Sequence, residues 1–196
     1  MPEELDIQDL YEAAIEALAD QDADGVRDAL RNMLAIAPDD MRTLEIEGDL
    51  AMCCGELDKA ERYYKKMAAT CDLPAMQALA SLSRGMIRVH RGEPKQAYDL
   101  LKEASDLYAS LENRSQWLGT LNVLGSVCME LGHLHEAIET FEQSLLLANQ
   151  EFEEDPEDDA SLYMMAYVRR DLGKPSAWRD FSMRHPNSST KPCRNS

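Results

Sequence analysis

A chain of 196 residues is long enough for one substantial domain, and a hydrophobic fraction of 44% permits a packed core. The mean hydropathy is −0.45, and no apolar run approaches the roughly 18 residues that a bilayer span requires, so we expect no membrane contact. Twenty Lys and Arg against 37 Asp and Glu give a net charge of −17, which argues against nucleic acid as a partner.

The N-terminal sequence and the cysteines both indicate where in the cell the protein is found. The first ten residues, MPEELDIQDL, have neither the basic nor the apolar region of a secretory signal. The five cysteines form no CxxC pair, and their odd number leaves at least one thiol unpaired. We therefore expect a cytoplasmic protein with reduced thiols.

The first predicted helix pair spans residues 7–40 and contains the stretch DQDADG. Its acids and glycine match the start of a calcium-binding EF-hand loop, at positions Asp20, Asp22, Asp24, Gly25 and Asp28. Arg31, however, stands where such a loop needs a bidentate glutamate. We therefore expect an acidic turn whose aspartates cap the second helix, with no metal and no other cofactor.

Three further segments of equal length follow, residues 41–74, 78–111 and 118–151. In the last and clearest, small and large residues alternate at Gly125, Cys128, Gly132, Ala137, Phe141 and Ser144. The equivalent positions are Gly48, Ala51, Gly55, Ala60, Tyr64 and Met67, then Gly85, Arg88, Gly92, Ala97, Leu101 and Ala104. Residues 7–40 are a degenerate copy, with Ala14, Ala17, Gln21, Val26, Leu30 and Met33 at these positions.

These spacings resemble the tetratricopeptide repeat (TPR). The resemblance implies an all-α fold, a right-handed superhelical solenoid of antiparallel helix pairs that stack into a continuous core. Residues 75–77 and 112–117 exceed the ideal repeat length, and we expect longer helices or wider turns to absorb them. The histidines and cysteines form no catalytic or metal-binding motif, so we expect no enzyme activity.

The predicted C-terminal elements differ in charge. Residues 152–160 are an acidic run that we expect to be a solvated linker. Residues 161–184 are predicted to form a capping helix or a degenerate helix pair, and residues 185–196 a disordered basic tail. From Lys174 onward, five Lys and Arg against one Asp give a net charge of +4.

In the family that the sequence resembles, the first helix of each repeat lines a concave groove. Carried over to this chain, the partner-binding positions are Tyr11, Ile15, Glu45, Asp49, Met52, Leu79, Leu82, Met86, Val89, Asn122, Ser126 and Met129. The middle of this predicted groove is apolar and acids flank it. An amphipathic helix or extended peptide that carries apolar and basic residues would match such a surface.

The family also contains members that grip the C-terminal carboxylate of heat-shock chaperones with lysines and asparagines. The matching positions here are Tyr11, Ile15 and Asp49, so we expect no such carboxylate clamp. We expect a non-enzymatic protein-interaction module. The alternatives are a secretion or assembly chaperone that shields an apolar client, or a scaffold or sensory part of a signalling system. A homo-oligomer and a groove filled by the chain's own termini also stay open.

Overall fold

The computed structural model describes residues 6–154, and in this range the chain forms helices and no strand. The eight helices are α1 (Ile7–Ala19), α2 (Ala23–Ile36), α3 (Met41–Cys53), α4 (Leu57–Thr70), α5 (Pro74–His90), α6 (Pro94–Ser110), α7 (Arg114–Leu131) and α8 (Leu134–Glu154). The all-α prediction is confirmed. The predicted capping helix at 161–184 and the basic tail lie outside the described residues, as does most of the acidic linker.

The helices belong to two compact bodies. The N-terminal body, Met1–Arg91, contains α1–α5, and the C-terminal body, Gly92–Ser196, contains α6–α8. In the N-terminal body α1 packs on α2, α3 packs on α4, and α1 and α2 also contact α3, while α4 contacts α5. In the C-terminal body α7 packs against both α6 and α8. The division falls within the third predicted repeat.

Side chains at the helix N-termini explain where several helices begin. Asp6 caps α1 by accepting from the amides of Gln8 and Asp9 at 2.7 and 3.0 Å, and the Asp9 carboxylate accepts from the Asp6 amide in return. Asp40 caps α3. Helices α5 and α6 begin with proline, which lacks the amide hydrogen that a first turn leaves unpaired.

The DQDADG stretch is a turn that connects α1 to α2. The Asp22 carboxylate accepts from the amides of Asp24 and Gly25 at 3.2 and 3.1 Å, and so caps α2. Asp20 is the C-cap of α1. The expected acidic, helix-capping turn is confirmed.

The turns between helices show why the first repeat looks degenerate. Gly55, Gly92 and Gly132 adopt positive φ angles of 72°, 68° and 77°. Gln21 takes the corresponding place in the first repeat and also has a positive φ, 57°. A side chain with a Cβ atom is strained in this region of backbone space. The turn of the first repeat thus has the same backbone geometry as the other turns, although Gln21 replaces the glycine and is strained there.

The residues in excess of an ideal repeat lie mostly within helices. Residues 75–77 belong to the first turns of α5, and residues 114–117 belong to α7. These two helices have 17 and 18 residues, whereas α1 and α3 have 13 each. Of the two expectations, longer helices account for residues 75–77 and 114–117, and residues 112–113 lie in the turn between α6 and α7.

An aromatic ring packs onto a glycine of the facing helix in each body. In the N-terminal body the ring of Tyr64 on α4 covers Gly48 on α3. In the C-terminal body the ring of Phe141 on α8 covers Gly125 on α7. Both rings are buried and belong to the core. Elsewhere in the C-terminal body, the indole nitrogen of Trp117 on α7 donates to the Ser105 hydroxyl on α6 at 3.0 Å.

The strained turn gives a first prediction. Gln21→Gly should raise the free energy of unfolding by about 0.5–1 kcal/mol, because relief of the positive φ outweighs the extra freedom of glycine in the unfolded chain. Glu16→Gly, at an exposed position inside α1, should instead lower it by about 1 kcal/mol. Chemical denaturation followed by circular dichroism measures both. A loss of stability in Gln21→Gly would contradict the strain at this turn.

The ring-on-glycine contact gives a second prediction. A Cβ atom at Gly125 would lie 2.6 Å from the Phe141 ring, so Gly125→Ala should destabilise by about 1–3 kcal/mol through overpacking. Gly119, on the same helix, has open space around its Cβ position, and Gly119→Ala should stabilise by up to about 1 kcal/mol. Equal melting temperatures for the two variants would argue against the contact.

Candidate functional site

A row of apolar side chains follows one side of α5. Leu79, Leu82, Met86 and Val89 recur at spacings of three, four and three residues, and all four are half-buried. Small residues at Ala78, Ser81 and Gly85 lie on the buried side of the same helix. Helix α5 therefore turns its small residues inward and leaves a row of larger apolar side chains partly exposed.

Helices α1 and α3 carry the other predicted binding residues of the N-terminal body. On α1, Tyr11 is half-buried and Ile15 is exposed. On α3, Asp49 and Met52 are half-buried. Met52 packs against the same core cluster as Leu79 of α5. Tyr11 packs against a separate core cluster formed by α1, α2 and Ile46 of α3. The first helices thus bring apolar and acidic groups to the margins of two core clusters.

Glu45 is less accessible than the sequence implies. Only 8% of its surface is exposed, and its Oε1 atom accepts a hydrogen bond of 3.1 Å from the Tyr11 hydroxyl. Asp49 lies one turn further along α3 and accepts from the Tyr64 hydroxyl of α4. Each carboxylate therefore bonds a tyrosine from a different neighbouring helix.

The surroundings of these two carboxylates shift their protonation. Burial, with a smaller contribution from the charge of Asp49, raises the pKa of Glu45 to about 7, although the Tyr11 hydroxyl opposes the shift. Burial likewise raises the pKa of Asp49, against the Tyr64 hydroxyl. Burial and the nearby acids raise the pKa of both tyrosines well above the ordinary value. The raised pKa of Glu45 therefore brings the titration of this carboxyl group into the neutral pH range.

The predicted binding residues of the C-terminal body differ in accessibility. Asn122 is only 3% exposed, and its side-chain oxygen accepts from the Ser144 hydroxyl at 2.8 Å. Ser126 donates to the carbonyl oxygen of Asn122 at 3.0 Å within α7. Met129 is half-buried. Asn122 is thus buried and joins α7 to α8, whereas the resemblance placed it at a partner-binding position.

The ion-pair cluster around Glu61, between α4 and α5, was not predicted from the sequence. Glu61 is 8% exposed and pairs with Arg88, Arg91 and Lys65, the last at 2.9 Å. Burial alone would raise the pKa of Glu61, but the bonds from Lys65 and Arg91 and the charge of Arg88 lower it to about 2. Arg88 stands where other repeats have a small residue, and this exception was the available signal.

Metal binding and membrane insertion can be assessed for the residues that the structure describes. Among residues 6–154, no group of three or more His, Cys, Asp or Glu side chains is placed to hold a metal ion. His133 and His135 instead lie beside Glu136 and Glu139, at 3.8 and 3.1 Å. Within that range, no helix has the length and apolar character needed to cross a bilayer.

Comparison with known proteins identifies the repeat and the fold. A family profile described as Tetratricopeptide repeat matches residues 118–151, and no curated protein matches the chain. Among solved structures, BtubC from P. vanneervenii aligns with a TM-score of 0.66 at 17% identity, over 97% of this chain and 85% of its own.

Two further solved structures are also similar to this chain in fold. PilW, a widely conserved type IV pilus biogenesis factor, aligns with a TM-score of 0.59 at 17% identity, over 94% of this chain and 80% of its own. MamA aligns with a TM-score of 0.52 at 18% identity, over 94% and 96% of the two chains. At these identities the likeness concerns the fold alone.

The Glu61 cluster gives a third prediction. Glu61→Gln should destabilise the protein by about 3 kcal/mol at pH 7, because it removes the buried carboxylate charge that pairs with Arg88 and Arg91, although Arg91 keeps its contact with Asp58. Because the folded pKa is lowered, the carboxylate stabilises above its unfolded value of 4.5 and loses this effect as the pH falls towards 2. The gap between wild type and variant in urea denaturation should therefore narrow below pH 4.5.

The matched control is Glu56→Gln, which removes an exposed pair with Lys59. We expect a change of no more than about 0.5 kcal/mol for this control. A similar loss in both variants, or a gap that stays constant down to pH 2, would contradict the account of the cluster.

Proposed function

This chain is a tetratricopeptide-repeat protein in its fold and in its repeat at residues 118–151, and from that premise we propose that it binds a peptide or amphipathic helix of another protein. Such repeats are typically non-catalytic interaction scaffolds. We propose the same for this chain: a non-enzymatic module of the cytoplasm, where reduced thiols persist. The described cysteines, Cys53, Cys54, Cys71 and Cys128, are all free.

The row on α5 is the observation that carries the proposal. Leu79, Leu82, Met86 and Val89 are large and apolar, yet only half-buried. The spacing of three and four residues matches the spacing of apolar side chains on a partner helix, so the two could interdigitate. Burial of such side chains would contribute about 25 cal/mol for each Å² removed from water.

The charge of the chain suggests what else the partner carries. The net charge is −17, and on α3 the half-buried Asp49 lies near Met52. A segment with Lys or Arg next to its apolar residues would be drawn to this surface, and its association would weaken with added salt. Nucleic acid and the carboxylate tails of chaperones are disfavoured by the same charge.

The surface that we propose comprises Tyr11 and Ile15 of α1, Asp49 and Met52 of α3, and the row on α5. Glu45 lies beneath Tyr11 and is assigned to the support of this surface, not to partner contact, because it is buried. In the C-terminal body only Ser126 and Met129 keep a partly exposed side chain among the predicted residues.

A groove variant provides the fourth prediction. The double substitution Leu82→Glu and Met86→Glu places two charges in the middle of the row, where an apolar partner would have to desolvate them. In an affinity capture from native lysate read by mass spectrometry, we expect wild type to retain a partner that the variant loses by at least about tenfold, which corresponds to about 1.4 kcal/mol.

The control for this experiment is Ile36→Glu at the end of α2, an apolar residue that is 55% exposed and lies outside the proposed surface. It should capture the same proteins as wild type. Circular dichroism must show that all variants stay folded. Identical captures by wild type and the double variant would rule out the row on α5 as the binding surface.

A further inference from the structure

The contact between α1 and α3 contains an unusual polar element. Helix α1 packs on α3 through Leu10 and Ala14, which share a core cluster with Ile46. Inside this junction Tyr11 donates to the buried Glu45 carboxylate. One turn earlier, an Arg42 nitrogen donates to the Gln8 side-chain oxygen at 2.9 Å. The docking of the first helix thus depends on apolar packing and on two polar contacts.

The groups that face Glu45 include no cation bonded to it. Helix α1 contributes Tyr11, and α3 itself contributes Asp49, whose partner is Tyr64 of α4. The Arg42 guanidinium is held by the Asp40 carboxylate at 2.9 and 3.1 Å. In the described part of the chain, neither Glu45 nor Asp49 forms an ion pair with Lys, Arg or His.

The other helices near α3 also contribute no cation that pairs with Glu45 or Asp49 in the described residues. The charged residues of α2 pair with one another at exposed positions, Arg27 with Asp24 and Arg31 with Asp28. Helix α5 contributes Ser83, whose hydroxyl bonds Tyr64. When both carboxylates are ionised, two negative charges therefore lie one helical turn apart in a poorly hydrated site.

We propose that the docking of α1 on α3 is a pH-sensitive contact, tight while Glu45 is protonated and loosened when Glu45 is ionised. Detachment of α1 returns the Glu45 carboxylate to water and relieves its repulsion from Asp49. Helix α1 packs on α3 less extensively than α4 does, so we expect the α1 contact to open at a lower free energy and to relieve the repulsion.

The direction of the pH effect follows from the linkage between the protonation of Glu45 and the docking of α1. The folded pKa of Glu45, about 7, lies above the ordinary value of 4.5 to which it returns when exposed. Docking is therefore strongest below pH 4.5, weakens as the pH rises towards 7, and levels off above pH 7. Between pH 5 and pH 8 the equilibrium constant for opening should rise on the order of 50-fold. Near neutral pH, small changes of pH thus alter the population of open α1.

This contact concerns the fold of the N-terminal body and does not depend on the identity of a partner. Its consequence for binding is nevertheless direct. Tyr11 and Ile15 lie on α1, so its detachment removes both from the surface that we propose for partners. The same motion would expose Leu10 and Ala14, which are buried against α2 and α3.

Hydrogen exchange of the full chain, read by mass spectrometry at pH 5 and pH 8, tests the proposal. After correction for the intrinsic pH dependence of exchange, the protection of α1 amides in wild type should fall on the order of 50-fold between these pH values. In Glu45→Gln, which keeps the acceptor but cannot ionise, the fall should be absent. Glu12→Gln, at an exposed position on α1, should behave like wild type.

Two results would overturn the proposal. One is α1 protection that stays constant in wild type, and the other is an equal loss of protection in α4 and α5, which would indicate a change of the whole body. If Glu45→Gln does not fold, Asp49→Asn provides the test instead. Removal of the neighbouring charge should move the midpoint of the wild-type transition to lower pH, and an unmoved midpoint would also overturn the proposal.

Discussion

The contact of an aromatic ring with a glycine on the facing helix sets the closest approach of the paired helices in both bodies. At Gly48 and Gly125 an added methyl group would lie 2.6 Å from the nearest ring atom of Tyr64 or Phe141. The two helices can therefore pack closely only where the side chain is a single hydrogen. This closeness buries the small residues Ala60 and Ala137 in the same interfaces.

The difference between the two rings accounts for much of the chemistry of the N-terminal body. Phe141 is apolar and needs no partner, whereas Tyr64 carries a hydroxyl into the interior and must donate it. Asp49 accepts that bond, and this brings a carboxylate into the junction of α3 and α4. Glu45 lies one turn away, accepts from Tyr11, and its pKa is raised partly because Asp49 is near. A single oxygen atom on a core ring thus leads to a cluster of titrating groups.

Patterns along the chain were sufficient for the helices and for the turn at DQDADG, because both depend on local spacing and capping. The row on α5 was predicted from the resemblance to the repeat family; its side chains are half-buried, and its role in binding stays a proposal. Asn122 and the cluster around Glu61 could not be found in this way. Asn122 is buried because Ser144 faces it from another helix, and Glu61 meets Arg88 and Arg91 across an interface. These pairings depend on how two helices are placed, and no single segment of sequence encodes that placement.

The position of Trp117 determines which part of the protein its intrinsic fluorescence reports on. Its indole bonds Ser105 between α6 and α7, and it is the tryptophan among the residues that the structure describes. The N-terminal body has tyrosines, among them Tyr11 and Tyr64, and no tryptophan. The fluorescence of Trp117 therefore probes the surroundings of α6 and α7, and α1, α3 and α5 carry no tryptophan of their own. A fluorophore placed on α1 would be needed to follow that helix in solution.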